Sequence, residues 1–249
     1  VQQWFGQIFL LADRIQAISN YLARWAKDMG VKRPVDVVPN GIELPSPASD
    51  GNEISRLRIE LNLLPEDKII LSTSRLVQKN GLPDLISALA KMADRRIKLV
   101  LCGEGGDRKE LEELAEHLGV SDRVRFVGFV PPAELSLYYS LARASGGVFC
   151  RPSISEGLGN SFLEAMAYNL PVIGTAVGGI PDFLTDGATG WFCKINDPKS
   201  IADKAAFIMA AENQATVEGV TAAAAKLVEE RFQWDSVAER MRVIFDELI

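Results

Sequence analysis

The sequence predicts an α/β protein built on a doubly wound, Rossmann-like parallel sheet. From residue 67 onward, short β-branched runs alternate with segments of helical periodicity, which is typical of a parallel sheet covered by helices on both faces. The runs are apolar at nearly every position, as strands buried on two sides require. The predicted strands span residues 68–73, 97–102, 124–127, 147–150 and 171–174.

Helical periodicity fills the segments between these strands and continues beyond the last of them. Apolar residues recur there every three or four positions, which is typical of helices with one buried face. The predicted helices span 82–93, 107–118, 132–144 and 160–169, followed by 198–212, 214–231 and 234–248.

The N-terminal part of the chain lies outside this alternation. A strand, a helix capped by Ser19 and a second strand are predicted at 14–38, and a stretch rich in Pro, Gly and Ser follows. Before them, apolar residues from Trp4 to Ile15 recur at near-helical spacing, which predicts a helix packed on protein, with a membrane-surface helix as the alternative. The predicted divisions are residues 1–38, a linker at 39–52 and a main domain at 53–249.

Composition and charge argue against several classes of function. A net charge of −6 does not fit a protein that coats nucleic acid, because such proteins carry a clustered excess of Lys and Arg. The single histidine and the three cysteines have no metal-ligand spacing, so no metal site is expected. The cysteines lie in apolar runs, as buried reduced thiols do, which indicates a cytoplasmic protein. No apolar run approaches the roughly 20 residues of a membrane span.

The loop after the strand at 147–150 carries the residues that point most directly to chemistry. Gly157 and Gly159 precede a helix, and the free amides and dipole of a helix start attract phosphate. Glu156 lies in the loop and Glu164 lies inside the helix, and carboxylates accept hydrogen bonds from sugar hydroxyls. This order of groups matches the hexose, diphosphate and ribose of a nucleotide sugar. The alternative is a glycine loop with two solvated glutamates.

Three other strand-to-helix turns could line the same site, because ligands of doubly wound sheets bind at the carboxyl ends of strands. The turn at 72–81 carries Arg75 and Lys79, which could meet a diphosphate or could be surface charges. The turn at 102–107 lacks the third glycine of a dinucleotide fingerprint and is interpreted as a tight turn into a helix. For the glycines of the turn at 175–182, a structural and a ligand-binding role both remain open.

Several catalytic motifs are absent from the sequence. It contains no Asp-x-Asp pair for a divalent metal on a diphosphate, no Gly-x-Ser-x-Gly elbow and no Walker loop. A Ser-His-Asp triad would have to use the single histidine of the sequence, so this kind of site is not expected. Sugar transfer without a metal or an additional cofactor remains compatible with these absences.

Five stretches resemble the large family of retaining GT-B glycosyltransferases with a Glu-x7-Glu signature, known as family 4 or group 1. The run RPSISEGLGNSFLEAMA at residues 151–167 resembles the signature itself. The others follow in the family's order at residues 38–41, 74–81, 125–128 and 178–190. The resemblance covers most of the chain and implies the C-terminal, donor-binding half of a GT-B fold with a UDP- or GDP-sugar as donor.

The resemblance implies a role for each matching position. Glu156 would hold hydroxyls of the donor sugar, and Arg75 would stabilise the charge that grows as the nucleoside diphosphate leaves. Glu164 would hold the ribose, and the glycine loop would present amides to sugar and phosphate, while Val130 would contact the base through its main chain. The implied donor-binding residues are Lys79, Asn80, Val130, Gly157, Leu158, Gly159, Ser161 and Glu164.

The sequence departs from the family pattern in two ways. The family commonly has lysine immediately before the glycine of the turn at 72–81, but Asn80 stands there and Lys79 precedes it. The family's enzymes also have a first domain that carries the acceptor, and residues 14–38 resemble only its last strand and helix. The chain, which starts at Val1 without a signal peptide, is therefore expected to be a fragment or part of a split enzyme.

Three functions follow from this sequence. The first is an enzyme half that binds a nucleotide sugar and turns it over slowly or not at all alone, completed by the first domain or a partner chain. The second is a non-catalytic binding or assembly module, which would pair with a partner chain or a second copy of itself through residues 1–12. The third is another GT-B enzyme, such as a sugar-nucleotide epimerase. Peripheral contact with the inner face of a membrane is compatible with the complete enzyme.

Overall fold

The computed structural model describes residue 9, residues 11–45 and residues 51–248. Its strands in chain order are β1 (Ile15–Ala17), β2 (Val35–Val37), β3 (Lys68–Thr73), β4 (Ile97–Cys102), β5 (Val124–Gly128), β6 (Val148–Arg151), β7 (Val172–Thr175) and β8 (Trp191–Cys193). Its helices are α1 (Asn20–Asp28), α2 (Gly51–Glu60), α3 (Leu82–Lys91), α4 (Arg108–His117), α5 (Leu135–Ala144), α6 (Asn160–Ala167), α7 (Pro198–Met209), α8 (Gln214–Arg231) and α9 (Trp234–Asp246).

Six strands form one parallel sheet in the order β5–β4–β3–β6–β7–β8. The central strand β3 pairs with β4 on one side and with β6 on the other. The chain therefore builds outward to β5, returns to the centre at β6, and then builds toward β8. At such a switch point the loops that leave the two central strands diverge and open a crevice at their carboxyl ends. The predicted doubly wound fold is confirmed.

Two apolar layers pack on the sheet, one on each face. In β3, Ile70 belongs to one layer while Ile69 and Leu71 belong to the other, because successive side chains of a strand point to opposite faces. Helices α3, α4 and α7 contribute to the first layer and α2, α5 and α6 to the second, while α8 contributes to both. Helices on both faces explain why the strands are apolar at nearly every position.

The boundaries of most predicted strands and helices agree with the structure to within three residues. One small shift affects the site. The strand predicted at 147–150 is Val148–Arg151. Arg151 is therefore the last residue of a buried strand, with 7% of its surface exposed, rather than the first residue of a loop.

Two elements, α2 and β8, were not predicted. Helix α2 begins at Gly51, inside the predicted linker at 39–52, and buries only Leu57, so its apolar periodicity is weak. Strand β8 is three residues long, too short to show a period. Within the predicted linker, Ile42 forms a parallel bridge with Gln233, which ties this segment to the start of α9.

The N-terminal segment forms a small strand–helix–strand unit against the main sheet domain. Strands β1 and β2 pair in parallel, and Ile15, Ala26 and Val31 form a separate apolar cluster. Ser19 caps α1 as predicted, since its hydroxyl accepts a hydrogen bond from the Leu22 amide at 3.2 Å. The helix predicted from Trp4 and the interface predicted through residues 1–12 fall mainly on residues 1–8 and 10, outside the described residues.

Candidate active site

A cleft of about 680 Å³ opens at the switch point, between the carboxyl ends of β3 and β6. Seven of the ten site residues predicted from the sequence line it, namely Arg75, Val130, Glu156, Leu158, Gly159, Ser161 and Glu164. Ile18 and Asn40 also line it, so the N-terminal segment contributes to its wall. Gly157, Lys79 and Asn80 lie outside the lining.

The start of α6 forms the floor of the cleft. Gly159 precedes the helix in the left-handed region, at a φ of +99°. Among the described residues, the amides of Asn160 and Ser161 have no hydrogen-bond acceptor, as the first amides of a helix commonly lack one. The Asn40 side-chain amide approaches the Asn160 side-chain oxygen at 3.4 Å, which brings the N-terminal segment to the same helix start. The cleft therefore presents free donors and the positive end of a helix dipole to an anion.

Glu156 is held by a buried cation. Its Oε2 accepts a hydrogen bond from Arg151 Nη2, and its Oε1 accepts one from the Gly157 amide at 2.9 Å. Burial lowers the pKa of the Arg151 guanidinium, and the negative charge of Glu156 opposes that shift. The amide of Gly157, which was predicted to face the donor, is thus engaged by the neighbouring side chain.

Glu164 is held by a second buried group, the hydroxyl of Tyr139. That hydroxyl donates to Glu164 Oε2 at 2.7 Å and lies 2.9 Å from Thr73 Oγ1 at the end of β3. Burial raises the pKa of Tyr139, and the nearby Glu164 charge raises it further, so the phenol remains a donor. Sequence reasoning missed this chain of hydrogen bonds, because Tyr139 carries no motif and lies 25 residues from Glu164.

We expect the Tyr139→Phe variant to bind a nucleoside diphosphate about 3- to 10-fold more weakly than the native chain, the cost of losing about one ordinary hydrogen bond. The ring would keep its packing against Tyr168, whose centroid lies 5.5 Å away. Calorimetric titration would measure the affinity, with Tyr138→Phe as the control. Equal affinities of native chain and Tyr139→Phe would show that the phenol does not position Glu164.

The turn after β3 carries three residues that were predicted to bind the donor, and they lie in different environments. Arg75 is exposed and lines the cleft. Asn80 is buried, and its side-chain amide donates to the Arg75 carbonyl at 2.6 Å. Lys79 is exposed outside the cleft, and its carbonyl accepts from the Ile154 amide at 2.7 Å. The structure thus gives Asn80 a contact with the main chain of the turn and brings only Arg75 to the cleft.

The two remaining glycine turns support the cleft from outside or from its edge. Gly103 and Glu104 line it, and the Gly103 amide donates to the Gly128 carbonyl at 2.7 Å, so this turn is tied to the end of β5. The Gly179 amide donates to the Glu156 carbonyl at 3.1 Å. The turn at 175–182 therefore packs against the Glu156 loop, and its residues are not among those that line the cleft.

The described residues hold no group of three or more His, Cys, Asp or Glu side chains that could bind a metal. Cys102, Cys150 and Cys193 are buried and unpaired. Burial raises the pKa of all three thiols, that of Cys193 to about 12. Across the described ranges, no helix combines the length and apolarity that crossing a bilayer requires.

Solved structures with the same architecture identify the class of the fold. Alr3699/HepE of Anabaena in complex with UDP-glucose matches with a TM-score of 0.88 at 21% sequence identity, over 99% of this chain and 68% of that chain. Sucrose-phosphate synthase of Thermosynechococcus elongatus matches with a TM-score of 0.85 at 25% identity, over 99% of this chain and 61% of that chain. The fold is that of the GT-B glycosyltransferases.

Sequence relatives identify the family. The family described as "Glycosyl transferases group 1" matches residues 53–241. D-inositol 3-phosphate glycosyltransferase of Corynebacterium jeikeium is 31% identical over 86% of this chain and 52% of its own length. GDP-mannose-dependent alpha-(1-6)-phosphatidylinositol monomannoside mannosyltransferase of Mycobacterium tuberculosis is 30% identical over 92% of this chain and 60% of its own length. The chain belongs to the group 1 glycosyltransferases and spans little more than half the length of these relatives.

Proposed function

We propose that this chain is the donor-binding half of a retaining glycosyltransferase that transfers a sugar from a UDP- or GDP-sugar. One observation carries the proposal: Glu156 and Glu164 line a single cleft, together with the helix start whose amides are free. Two carboxylates flanking an anion site fit a ligand with hydroxyl groups at both ends and phosphates between them.

The cleft suggests a position for each part of the donor. Glu164 accepts hydrogen bonds from the ribose, and Val130, in the loop after β5, contacts the base through its main chain. The amides at the start of α6 and the side chain of Arg75 bind the diphosphate. Glu156 accepts hydrogen bonds from the transferred sugar, and Leu158 and Gly159 shape the wall beside it. Lys79 and Asn80 take no direct part.

Transfer in this proposal depends on stabilising the leaving nucleoside diphosphate. Its negative charge grows as the sugar bond breaks, and a preorganised cation and helix dipole oppose that charge without rearranging. Because the sequence has no Asp-x-Asp pair, we assign this task to Arg75 and the α6 amides rather than to a metal ion. In this proposal the acceptor binds to a second half of the enzyme, which corresponds to the part of the longer relatives that this chain does not match.

The relatives support a nucleotide-sugar donor without selecting its base. One relative is named for GDP-mannose, and one similar structure contains UDP-glucose. The mannosyltransferase relative is also named for a phosphatidylinositol acceptor, a lipid. For this protein we therefore propose a cytoplasmic enzyme whose complete form works at the inner face of a membrane.

Titration calorimetry of the chain with UDP, GDP and ADP tests the proposal. We expect one molecule of UDP or GDP to bind per chain. We expect this chain to hydrolyse or transfer the corresponding nucleotide sugar slowly or not at all, because it spans little more than half the length of its relatives and the proposal assigns the acceptor to the remaining part. No heat with any of the three nucleotides would contradict the proposal. Binding together with full transferase activity would contradict only the expected dependence on a second half.

A further inference from the structure

We infer that Arg151 contributes a second positive charge to the diphosphate site and contacts the sugar-proximal phosphate of the donor. This inference rests on the proposed function. Arg151 and Arg75 are the cationic side chains among the described residues of the cleft lining, which also includes the carboxylates of Glu104, Glu156 and Glu164. A diphosphate carries further negative charge into this cleft. With Arg75 alone, one positive charge would face these three carboxylates, and Arg151 raises the number of positive charges in the lining to two.

The guanidinium of Arg151 lies directly under the start of α6. Its Nη1 donates to Ser161 Oγ at 2.9 Å, and the amide of Ser161 is one of the free amides of that helix. A β-carbon placed on Gly159 would lie 3.4 Å from Nη2, so the cation also sits against the residue that precedes the helix. An anion bound at these amides would consequently lie within the first turn of the helix and close to the guanidinium.

The orientation of Arg151 is fixed on several sides. Its Nε donates to Ser153 Oγ at 3.2 Å, and its Nη2 donates to Glu156 Oε2. The guanidinium carbon lies 4.9 Å from the centroid of the Phe162 ring, which covers one face of the planar group. A cation held in this way is preorganised, since it needs no rearrangement when a ligand binds.

The guanidinium has more donors than the protein uses. Arginine offers five N–H groups, and three protein acceptors, Ser153, Ser161 and Glu156, are found among the described residues. Arg151 is only 7% exposed, and leaving N–H donors of a buried cation without acceptors costs free energy. Phosphate oxygens supply the acceptors that a planar, forked cation binds best.

The pairing with Glu156 indicates which phosphate Arg151 contacts. In the proposed donor position, Glu156 marks the sugar end of the cleft and Glu164 the ribose end. Arg151 bonds Glu156 and the helix start, so it lies at the sugar end. It should therefore act on the phosphate that carries the sugar. A purely structural arginine, by contrast, would affect ligands with one or two phosphates equally.

Comparing UDP with UMP separates these two roles. We expect Arg151→Gln to weaken UDP binding by about 10- to 100-fold, the loss of one charge-assisted contact, and UMP binding much less. Lys91→Gln, which removes an exposed cation at the end of α3 and outside the cleft, is the matched control and should leave both affinities within about 2-fold, as is usual for surface changes. If GDP is the nucleotide that binds, GDP and GMP replace the uridine pair. Equal losses for the diphosphate and the monophosphate, or none, would overturn the inference.

A charge-balanced comparison covers the case in which Arg151→Gln does not fold because it leaves the Glu156 charge buried and unpaired. The double variant Arg151→Gln/Glu156→Gln contains neither charge of the pair, and Glu156→Gln keeps only the Arg151 cation. Thermal unfolding would verify that both variants fold. The double variant should bind UDP about 10- to 100-fold more weakly than Glu156→Gln. Equal affinities would refute the role of Arg151. A native chain that binds no nucleoside diphosphate would instead refute the proposed function.

Discussion

Replacing Glu164 with alanine is expected to lower the affinity for a nucleoside diphosphate by about 10- to 100-fold, the range for losing hydrogen bonds to a charged acceptor. The Tyr139 hydroxyl donates one hydrogen bond to Oε2 of Glu164. The carboxylate lines the cleft and can accept further hydrogen bonds from a ligand. In the proposed position it accepts hydrogen bonds from both ribose hydroxyls. Titration calorimetry with the native chain and the variant measures the loss directly.

A 2′-deoxyribose ligand makes the test of Glu164 specific for the ribose. The native chain should bind UDP more tightly than 2′-deoxy-UDP, whereas Glu164→Ala should bind both with similar affinity. Glu229→Ala, which removes an exposed carboxylate of α8, is the matched control and should behave like the native chain. An alanine variant that still prefers the ribose form would assign the ribose to another residue.

Replacing Gly178 with alanine is expected to reduce the free energy of unfolding by about 2 to 5 kcal/mol, the sum of a left-handed backbone and an overpacked contact. Gly178 has a φ of +57°, and an added β-carbon would lie 1.7 Å from the Glu156 carbonyl oxygen. Either the turn or the Glu156 loop must move. Because Glu156 lines the cleft, nucleotide binding should weaken together with stability.

Gly187 provides a control with the same backbone conformation and free space. Its φ is +71°, but nothing lies within 4 Å of an added β-carbon. Gly187→Ala should therefore cost only the backbone contribution, about 1 to 2 kcal/mol, with unchanged nucleotide affinity. Urea denaturation of both variants measures the difference. If both variants lose the same free energy of unfolding, the close contact with the Glu156 carbonyl adds no cost, and the predicted effect of Gly178→Ala on the Glu156 loop is wrong.

Much of the sheet and part of the site could be predicted from local patterns. The bounds of β3 and β4 follow from continuous apolar runs, since only strands buried on both faces need them. Glu156 and Glu164 could be singled out because the glycine loop and the helix start lie between them in sequence. One loop and the first turns of α6 connect the two glutamates, so their relative positions depend on local structure. The sequence could therefore predict that both line the same cleft.

The sequence could not predict which groups hold those carboxylates. Arg151 belongs to a strand end that was assigned to a loop, and Tyr139 lies on a different helix, 25 residues from Glu164. The positions of Lys79 and Asn80 could not be predicted for the same reason. Asn80 points to the Arg75 carbonyl because the chain turns back on itself there, and no spacing rule distinguishes that from an exposed position.

The sequence by itself therefore determined the doubly wound α/β fold, the family, and the loop at which the cleft opens. Tertiary structure alone decided that Arg151 and Tyr139 would anchor the two glutamates, and that the turn at 175–182 would brace the loop from behind. The physical reason is the range of the interactions. Periodicity and turn chemistry act over a few neighbouring residues, whereas the burial of a charge and its hydrogen bonds depend on side chains that only the folded sheet brings together.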